Sequence, residues 1–148
     1  MNYTIEYILN NIVFACAKGT DLGSSERQSL EGVHAVLCAK EILKMINDQN
    51  ISLIESDRPF FENHDQGKDI VVRWADLNGL DSDKEVDISV GVADVLVYGE
   101  DLGIFEIGTT RPTKMLLLLK YISKQNTCYT IHFWPYGSKK AIIFKNWT

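Results

Sequence analysis

Hydrophobic residues recur at helical spacing in the first third of the chain. Their positions within residues 3–17 predict a short first helix. A longer helix is predicted over residues 25–48, with Ser25 and Gln28 forming a capping box at its start. The apolar stripe of this second helix is expected to consist of Leu30, Val33, Val36, Leu37, Leu43 and Ile46.

Alternating or β-branched apolar runs predict strands in the rest of the chain. The predicted strands are residues 51–55, 70–74, 86–90, 92–98, 104–107, 129–134 and 141–145. The polar residues 57–69 are expected to form a mobile excursion, and residues 78–85 a turn. A third helix follows residue 107, with Thr109 or Thr110 as its cap, Pro112 in its first turn and its end near Lys124.

This order of elements predicts an α/β fold with a mixed central sheet flanked by helices. A chain of 148 residues that is 45% hydrophobic can bury a core as a single domain, residues 1–148. Its longest apolar run, residues 115–119, is too short to cross a membrane, and no secretory signal is visible. We therefore expect a soluble cytoplasmic protein in which Cys16, Cys38 and Cys128 are reduced thiols.

The net charge of −5 hides a division of charge along the chain. Residues 1–106 hold all twenty acidic and eight basic side chains, whereas residues 107–148 hold seven basic and no acidic ones. The basic segment is interleaved with aromatic residues, a pattern that suits contact with phosphates and bases. Arg111, Lys139 and Lys140 are the candidate nucleic-acid contacts, although solvated lysines and core aromatics would give the same pattern.

Two acidic residues interrupt neighbouring apolar strands of a predicted hairpin. Asp94 lies in the run 92–97 and Glu106 in the run 104–107. Because a buried carboxylate is costly unless it is paired or binds a cation, a shared metal ion is one explanation for the two acids. Mg²⁺ or Mn²⁺ would suit these oxygen ligands and would activate water for phosphodiester hydrolysis.

The order of these elements resembles the PD-(D/E)xK nuclease superfamily, in which a helix is followed by a strand with Asp, a strand with Glu, a helix and a strand. Asp94 matches the first motif residue, and Glu106, Ile107 and Gly108 match the second part, twelve residues later. The resemblance covers about residues 25–133. It implies a restriction-endonuclease-like fold and a metal-dependent nuclease in which Asp94 and Glu106 hold the metal ion.

The chain departs from the family motif at Gly108, where the resemblance leads us to expect lysine. In this superfamily the lysine is sometimes displaced to the following helix, so Lys114 is the candidate catalytic cation and Arg111 the second choice. Glu31 is the candidate accessory carboxylate on the preceding helix. Glu26 is the next choice there, and Asp87 is an alternative acid on the strands.

Other interpretations remain open at this stage. Asp94 could instead bond to backbone amides near Gly91, and Glu106 could form a structural ion pair with Lys114 or Arg111. Loss of the motif lysine also favours an inactive nuclease-like domain that binds nucleic acid or a protein. A third candidate is an acidic mimic of nucleic acid. A domain this small has little room for base recognition, which a second subunit in a homodimer, or a partner, would supply.

Overall fold

The computed structural model describes residues 2–17 and 25–146, without the side chains of residues 25–33. Its helices are α1 (Ile5–Ile8), a π-helical turn (Leu9–Val13), α2 (Phe14–Ala17), α3 (Ser25–Asn47), α4 (His64–Leu77) and α5 (Pro112–Ser123). Its strands are β1 (Ile51–Asp57), β2 (Asp81–Asp87), β3 (Val92–Tyr98), β4 (Leu102–Ile107), β5 (Tyr129–Trp134) and β6 (Lys140–Asn146).

The six strands form one open sheet in the order β1-β6-β5-β4-β3-β2. Strands β4 and β5 are parallel, and all other neighbours are antiparallel. The predicted mixed sheet flanked by helices is thereby confirmed at the level of fold class. This topology brings the ends of β1, β2, β4 and β5 and the starts of β3 and β6 to one edge of the sheet. We call it the carboxyl edge, after the end of β4.

Helices cover both faces of the sheet. On one face, the segments from α1 to α3 and helix α5 pack over a large core that includes Ile42, Leu118 and Phe133. On the other face, α4 packs through Val71 and Ala75 against a smaller cluster from the strands. Since successive residues of a strand point to opposite faces, β4 contributes Ile104 to the first core and Phe105 to the second. No helix in the described ranges is long and apolar enough to cross a membrane.

The largest error of the sequence prediction concerns helix α4. Residues 64–69 were expected to belong to a mobile excursion and residues 70–74 to a strand, yet both lie in this helix. Asn63 caps it by accepting a hydrogen bond from the Gln66 N–H at 2.9 Å. Lys68, Val71 and Ala75 are buried at helical spacing. The cap and this spacing therefore prevail over the β propensity of Ile70, Val71 and Val72.

The predicted stripe of α3 is also wrong in part. Leu37 and Val36 are exposed, whereas other residues of α3, three of them small, face the core. The buried positions are Ala35, Cys38, Ala39, Ile42 and Met45. Small residues at this interface allow α3 to lie close to α5, where the Cys38 thiol contacts the Pro112 carbonyl at 3.2 Å. The predicted capping box, with Leu30 and Val33, falls among side chains outside the described residues.

Two further boundaries differ from the prediction. The expected turn at residues 78–85 is mostly strand β2, which begins at Asp81. Because β2 is an edge strand that pairs only with β3, its side chains are largely exposed and polar, and no apolar alternation marks it. The cap position of α5 is Arg111, which makes no side-chain capping bond, so neither Thr109 nor Thr110 is the cap. The strands predicted at residues 92–98 and 129–134 are confirmed.

Candidate functional site at the carboxyl edge

Asp94 and Glu106 lie side by side at the carboxyl edge. The β3–β4 pairing joins Val95 to Phe105, so Asp94 and Glu106 occupy the next position along the two strands. Asp94 Oδ2 accepts a hydrogen bond from the Ile107 N–H at 2.7 Å, which fixes the carboxylate against the end of β4. Asp94 is therefore bonded to a backbone amide, but to that of Ile107 and not to one beside Gly91.

Glu106 is the most deeply buried acid of this site, with 2% of its surface exposed. Its Oε1 atom lies 2.8 Å from Lys114 Nζ, so this buried oxygen is paired with an ammonium group. Burial raises the pKa of Glu106 to about 7; the charge of Asp94 also raises it, and Lys114 lowers it. A carboxylate whose charged form is disfavoured by burial is a group that a bound cation would stabilise.

Lys114 reaches Glu106 from the first turn of α5. Its ammonium contacts Glu106 and donates a hydrogen bond to the Val92 carbonyl at 3.1 Å, while 37% of its side chain stays exposed. The cation thus joins the start of β3 to the acid of β4. It is one of the two cations that the sequence named for this position; the other, Arg111, is exposed at the start of α5.

The geometry around Gly108 explains why no lysine stands at that position. Gly108 has a φ angle of +83°, and its N–H donates to the Trp134 carbonyl at 2.7 Å. A Cβ atom there would lie 2.5 Å from the ring of Tyr136, closer than side-chain packing allows. Both the backbone conformation and the Tyr136 ring therefore disfavour a side chain at Gly108, and the ammonium beside Glu106 is that of Lys114 on α5.

Helix α4 brings a histidine to the site that sequence analysis did not assign to it. His64 Nε2 lies 3.1 Å from Asp94 Oδ1, on the oxygen that the Ile107 amide leaves free. The sequence analysis placed His64 within the polar excursion of residues 57–69. The Asn63 cap was the available signal, because it predicts that a helix begins at residue 64.

One turn later on α4, Lys68 is buried beside the same strands, with 7% of its surface exposed. Its Nζ atom lies 3.0 Å from Glu85 Oε1 and 3.6 Å from Asp65 Oδ1. Glu85 has a φ angle of +54°, a left-handed conformation that costs about 1–2 kcal/mol for a residue with a side chain. It is the residue of β2 across from Asp94, where the ladder with β3 omits a pair.

The structure places the other predicted residues as follows. Lys139 and Lys140 are exposed at the carboxyl edge, and Lys140 lies 3.5 Å from Asp57. Asp87 is exposed and accepts a hydrogen bond from the Ser89 N–H, a turn contact at the end of β2. The side chains of Glu31 and Glu26 lie outside the described residues. The three remaining basic residues of the segment 107–148, Lys120, Lys124 and Lys145, lie away from this edge, on the last turns of α5 and at the end of β6.

The donor set suits a hard cation that keeps most of its water. Mg²⁺ is commonly held by one or two carboxylates together with substrate phosphates. Asp94 and Glu106 supply two neighbouring carboxylates, although Glu106 Oε1 is already paired with the Lys114 ammonium at 2.8 Å. Within the described ranges, no group of three or more His, Cys, Asp or Glu side chains is arranged to hold a metal ion. Two carboxylates are within the number by which a largely hydrated Mg²⁺ ion is commonly held.

His132 is a strand residue as predicted, within β5. Its ring stacks on Phe105 with centroids 4.0 Å apart and an angle of 9° between planes, on the face covered by α4. Burial lowers its pKa to about 4, so it is neutral at physiological pH.

Comparisons with protein-family models, with curated proteins and with solved structures found no match. The functional assignment therefore depends on the site itself.

Proposed function

We propose that this protein is a nuclease that hydrolyses phosphodiester bonds of DNA or RNA with Mg²⁺ or Mn²⁺. The observation that carries the proposal is the buried Glu106 carboxylate, next to Asp94 and 2.8 Å from the Lys114 ammonium. Two carboxylates and a cation are the groups that metal-assisted phosphodiester hydrolysis needs, and perturbed buried acids are typical of catalytic sites.

The order of elements supports a restriction-endonuclease-like fold for the proposed enzyme. Strands β2, β3 and β4 form an antiparallel meander, α5 follows, and β5 lies parallel to β4. The two acids are on β3 and β4 and the cation is on α5. This is the order for which the sequence resembles the PD-(D/E)xK superfamily, with the lysine displaced.

In the proposed reaction each residue has a separate role. Asp94 and Glu106 would hold the metal ion, which supplies an activated water when bound. Lys114 would stabilise the attacking hydroxide or the charge that develops on the phosphorane oxygens. Glu31 would be an accessory carboxylate. Arg111, Lys139 and Lys140 would hold the phosphate backbone at the same edge.

The closed ion pair between Glu106 and Lys114 favours a second candidate function. A lysine that is neutralised by a buried acid can be a purely structural element, and the domain would then bind nucleic acid or a protein without cutting. For either function we propose that a second copy or a partner extends the small recognition surface. We propose a cytoplasmic location, because the free thiols Cys16, Cys38 and Cys128 suit a reducing compartment.

The test is cleavage of labelled single- and double-stranded DNA and RNA with Mg²⁺ or Mn²⁺, and with EDTA. Asp94→Asn is the main variant, since an amide oxygen can still accept the Ile107 N–H and preserve the fold. Asp76→Asn, at an exposed position near the end of α4, is the control. We expect metal-dependent cleavage that Asp94→Asn abolishes and Asp76→Asn retains. Salt-sensitive binding without cleavage would instead establish the inactive binding domain.

A further inference from the structure

Helix α4 presents two nitrogen side chains to the site that the proposed chemistry does not use. His64 and Lys68 are four residues apart, so they lie on one face of the helix. His64 contacts Asp94. Lys68 contacts Glu85, which is the residue of β2 across from Asp94. The pair therefore lies along the side of the site opposite α5.

Close packing fixes the first turns of α4 against β4. Gly67 separates the two side chains, and a Cβ atom there would lie 2.4 Å from Ile107 Cγ2. Only a residue without a side chain allows the helix to come this near to the strand that bears Glu106. The positions of His64 and Lys68 relative to the acids are therefore set by backbone packing, as a binding site requires.

Two features of the Lys68–Glu85 pair are not explained by a contribution to stability, namely the burial of the lysine and the backbone conformation of Glu85. A surface pair contributes little to stability, yet here the lysine stem is buried and Glu85 adopts a left-handed backbone. Strained backbone of this kind is concentrated at functional sites. Glu85 itself is 65% exposed in its side chain, so it can leave Lys68 without opening the core.

The charge of the site also requires further cations. Asp94, Glu106, Glu85 and Asp65 present four carboxylates, whereas Lys114 is already paired with Glu106. A phosphate approaching these acids would be repelled unless other donors met it. His64, in contact with Asp94, and Lys68, in contact with Glu85, can both donate to an anion.

We propose that His64 and Lys68 form a phosphate-binding pair on α4, which takes a backbone phosphate of the nucleic acid beside the one that is cut. The inference rests on the proposed function. In the free protein, Glu85 and Asp94 hold the two donors in place. When substrate binds, the phosphate oxygens replace Glu85 on Lys68 and accept a hydrogen bond from His64.

The test measures binding separately from cleavage. Fluorescence anisotropy of a fluorescein-labelled 20-nucleotide DNA, single-stranded and as a duplex, is recorded in EDTA over a range of KCl concentrations. Lys68→Met keeps the buried stem and removes the charge. Its control is Lys84→Met on β2, which removes the same charge from an ion pair with Asp69 outside the site.

We expect Lys68→Met to weaken binding about tenfold, as for a lost charge-assisted hydrogen bond, and Lys84→Met less than twofold. The slope of log Kd against log salt should fall by about 0.9, one phosphate contact, for Lys68→Met alone. Glu85→Gln should act in the opposite direction and tighten binding, because it frees the lysine. His64→Gln should weaken binding, though less than Lys68→Met.

Three results would overturn the inference. Equal effects of Lys68→Met and Lys84→Met would mean that only net charge matters. If the wild type cuts DNA and both Lys68→Met and His64→Gln bind and cut it equally well, the proposed phosphate-binding pair is refuted. The proposed nuclease function is then unaffected. A wild-type protein that neither binds nor cuts would refute both proposals. Thermal unfolding of each variant shows whether a loss of binding reflects a loss of fold.

Discussion

Replacing Glu106 by Gln should stabilise the protein at alkaline pH. The folded-state pKa of about 7 lies above the usual 4.5, so the folded protein holds an extra proton between these values. Stability is therefore lost as pH rises from about 4.5 through 7. At about 1.4 kcal/mol for each pKa unit, ionised Glu106 costs the fold roughly 3 kcal/mol at pH 8, a penalty that a neutral Gln avoids.

The assay is urea unfolding of the wild type and Glu106→Gln at pH 5 and pH 8. Since most of the penalty appears between these two values, the advantage of Gln should grow by about 2–3 kcal/mol from pH 5 to pH 8. Glu100→Gln, at an exposed loop position, is the control and should show no such change. An advantage that is the same at both pH values, or that is larger at pH 5, would refute the assignment of a raised pKa to buried Glu106.

Three other perturbations follow from the structure. Adding Gly108→Lys to the Lys114→Met variant should not restore cleavage. It should also lower the free energy of unfolding, measured in urea, by at least about 2 kcal/mol, because of the +83° φ angle and the Tyr136 ring. Restored activity would contradict the explanation of the missing lysine. The wild type should lose stability between pH 6.5 and 4.5, because the neutral ring of buried His132 takes up a proton when the protein unfolds. His132→Phe should make this loss smaller by about 1–2 kcal/mol. An unchanged dependence of stability on acid pH would refute the lowered pKa of His132. Leu118→Ala, at a fully buried position of α5, should cost about 2–5 kcal/mol of unfolding free energy, and a cost below 1 kcal/mol would argue against the packing of this core.

The elements that were predicted correctly are those whose hydrophobic pattern fits only one kind of secondary structure. Strands β3 and β5 are mostly apolar because both lie inside the sheet, where the two faces are covered. Edge strand β2 has no such run, since solvent reaches its polar side chains. In α4 a β-branched run imitates a strand, and only the Asn63 cap and the burial of Lys68, Val71 and Ala75 reveal the helix.

The candidate site was predictable where charge interrupts an apolar strand. Asp94 and Glu106 stand out in this way, and Lys114 follows from the missing lysine at Gly108. The contribution of α4 was not predictable, because His64 and Lys68 meet β3 and β2 only through tertiary packing around Gly67. The start of α4 is polar and contacts β4 at a glycine, so its sequence resembles that of an exposed loop.

The measurement that tests the central claim most directly is the single-turnover rate of cleavage in Mg²⁺ by wild type, Lys114→Met and Lys120→Met. Both variants remove one lysine charge from α5, but Lys120 is exposed and distant from the two acids. We predict that Lys114→Met lowers the rate by about 100-fold or more, the usual effect of removing a group that stabilises transition-state charge, and that Lys120→Met retains the wild-type rate. A full cleavage rate in Lys114→Met, or no cleavage by the wild type on any substrate, would contradict the assignment of this site as a nuclease centre.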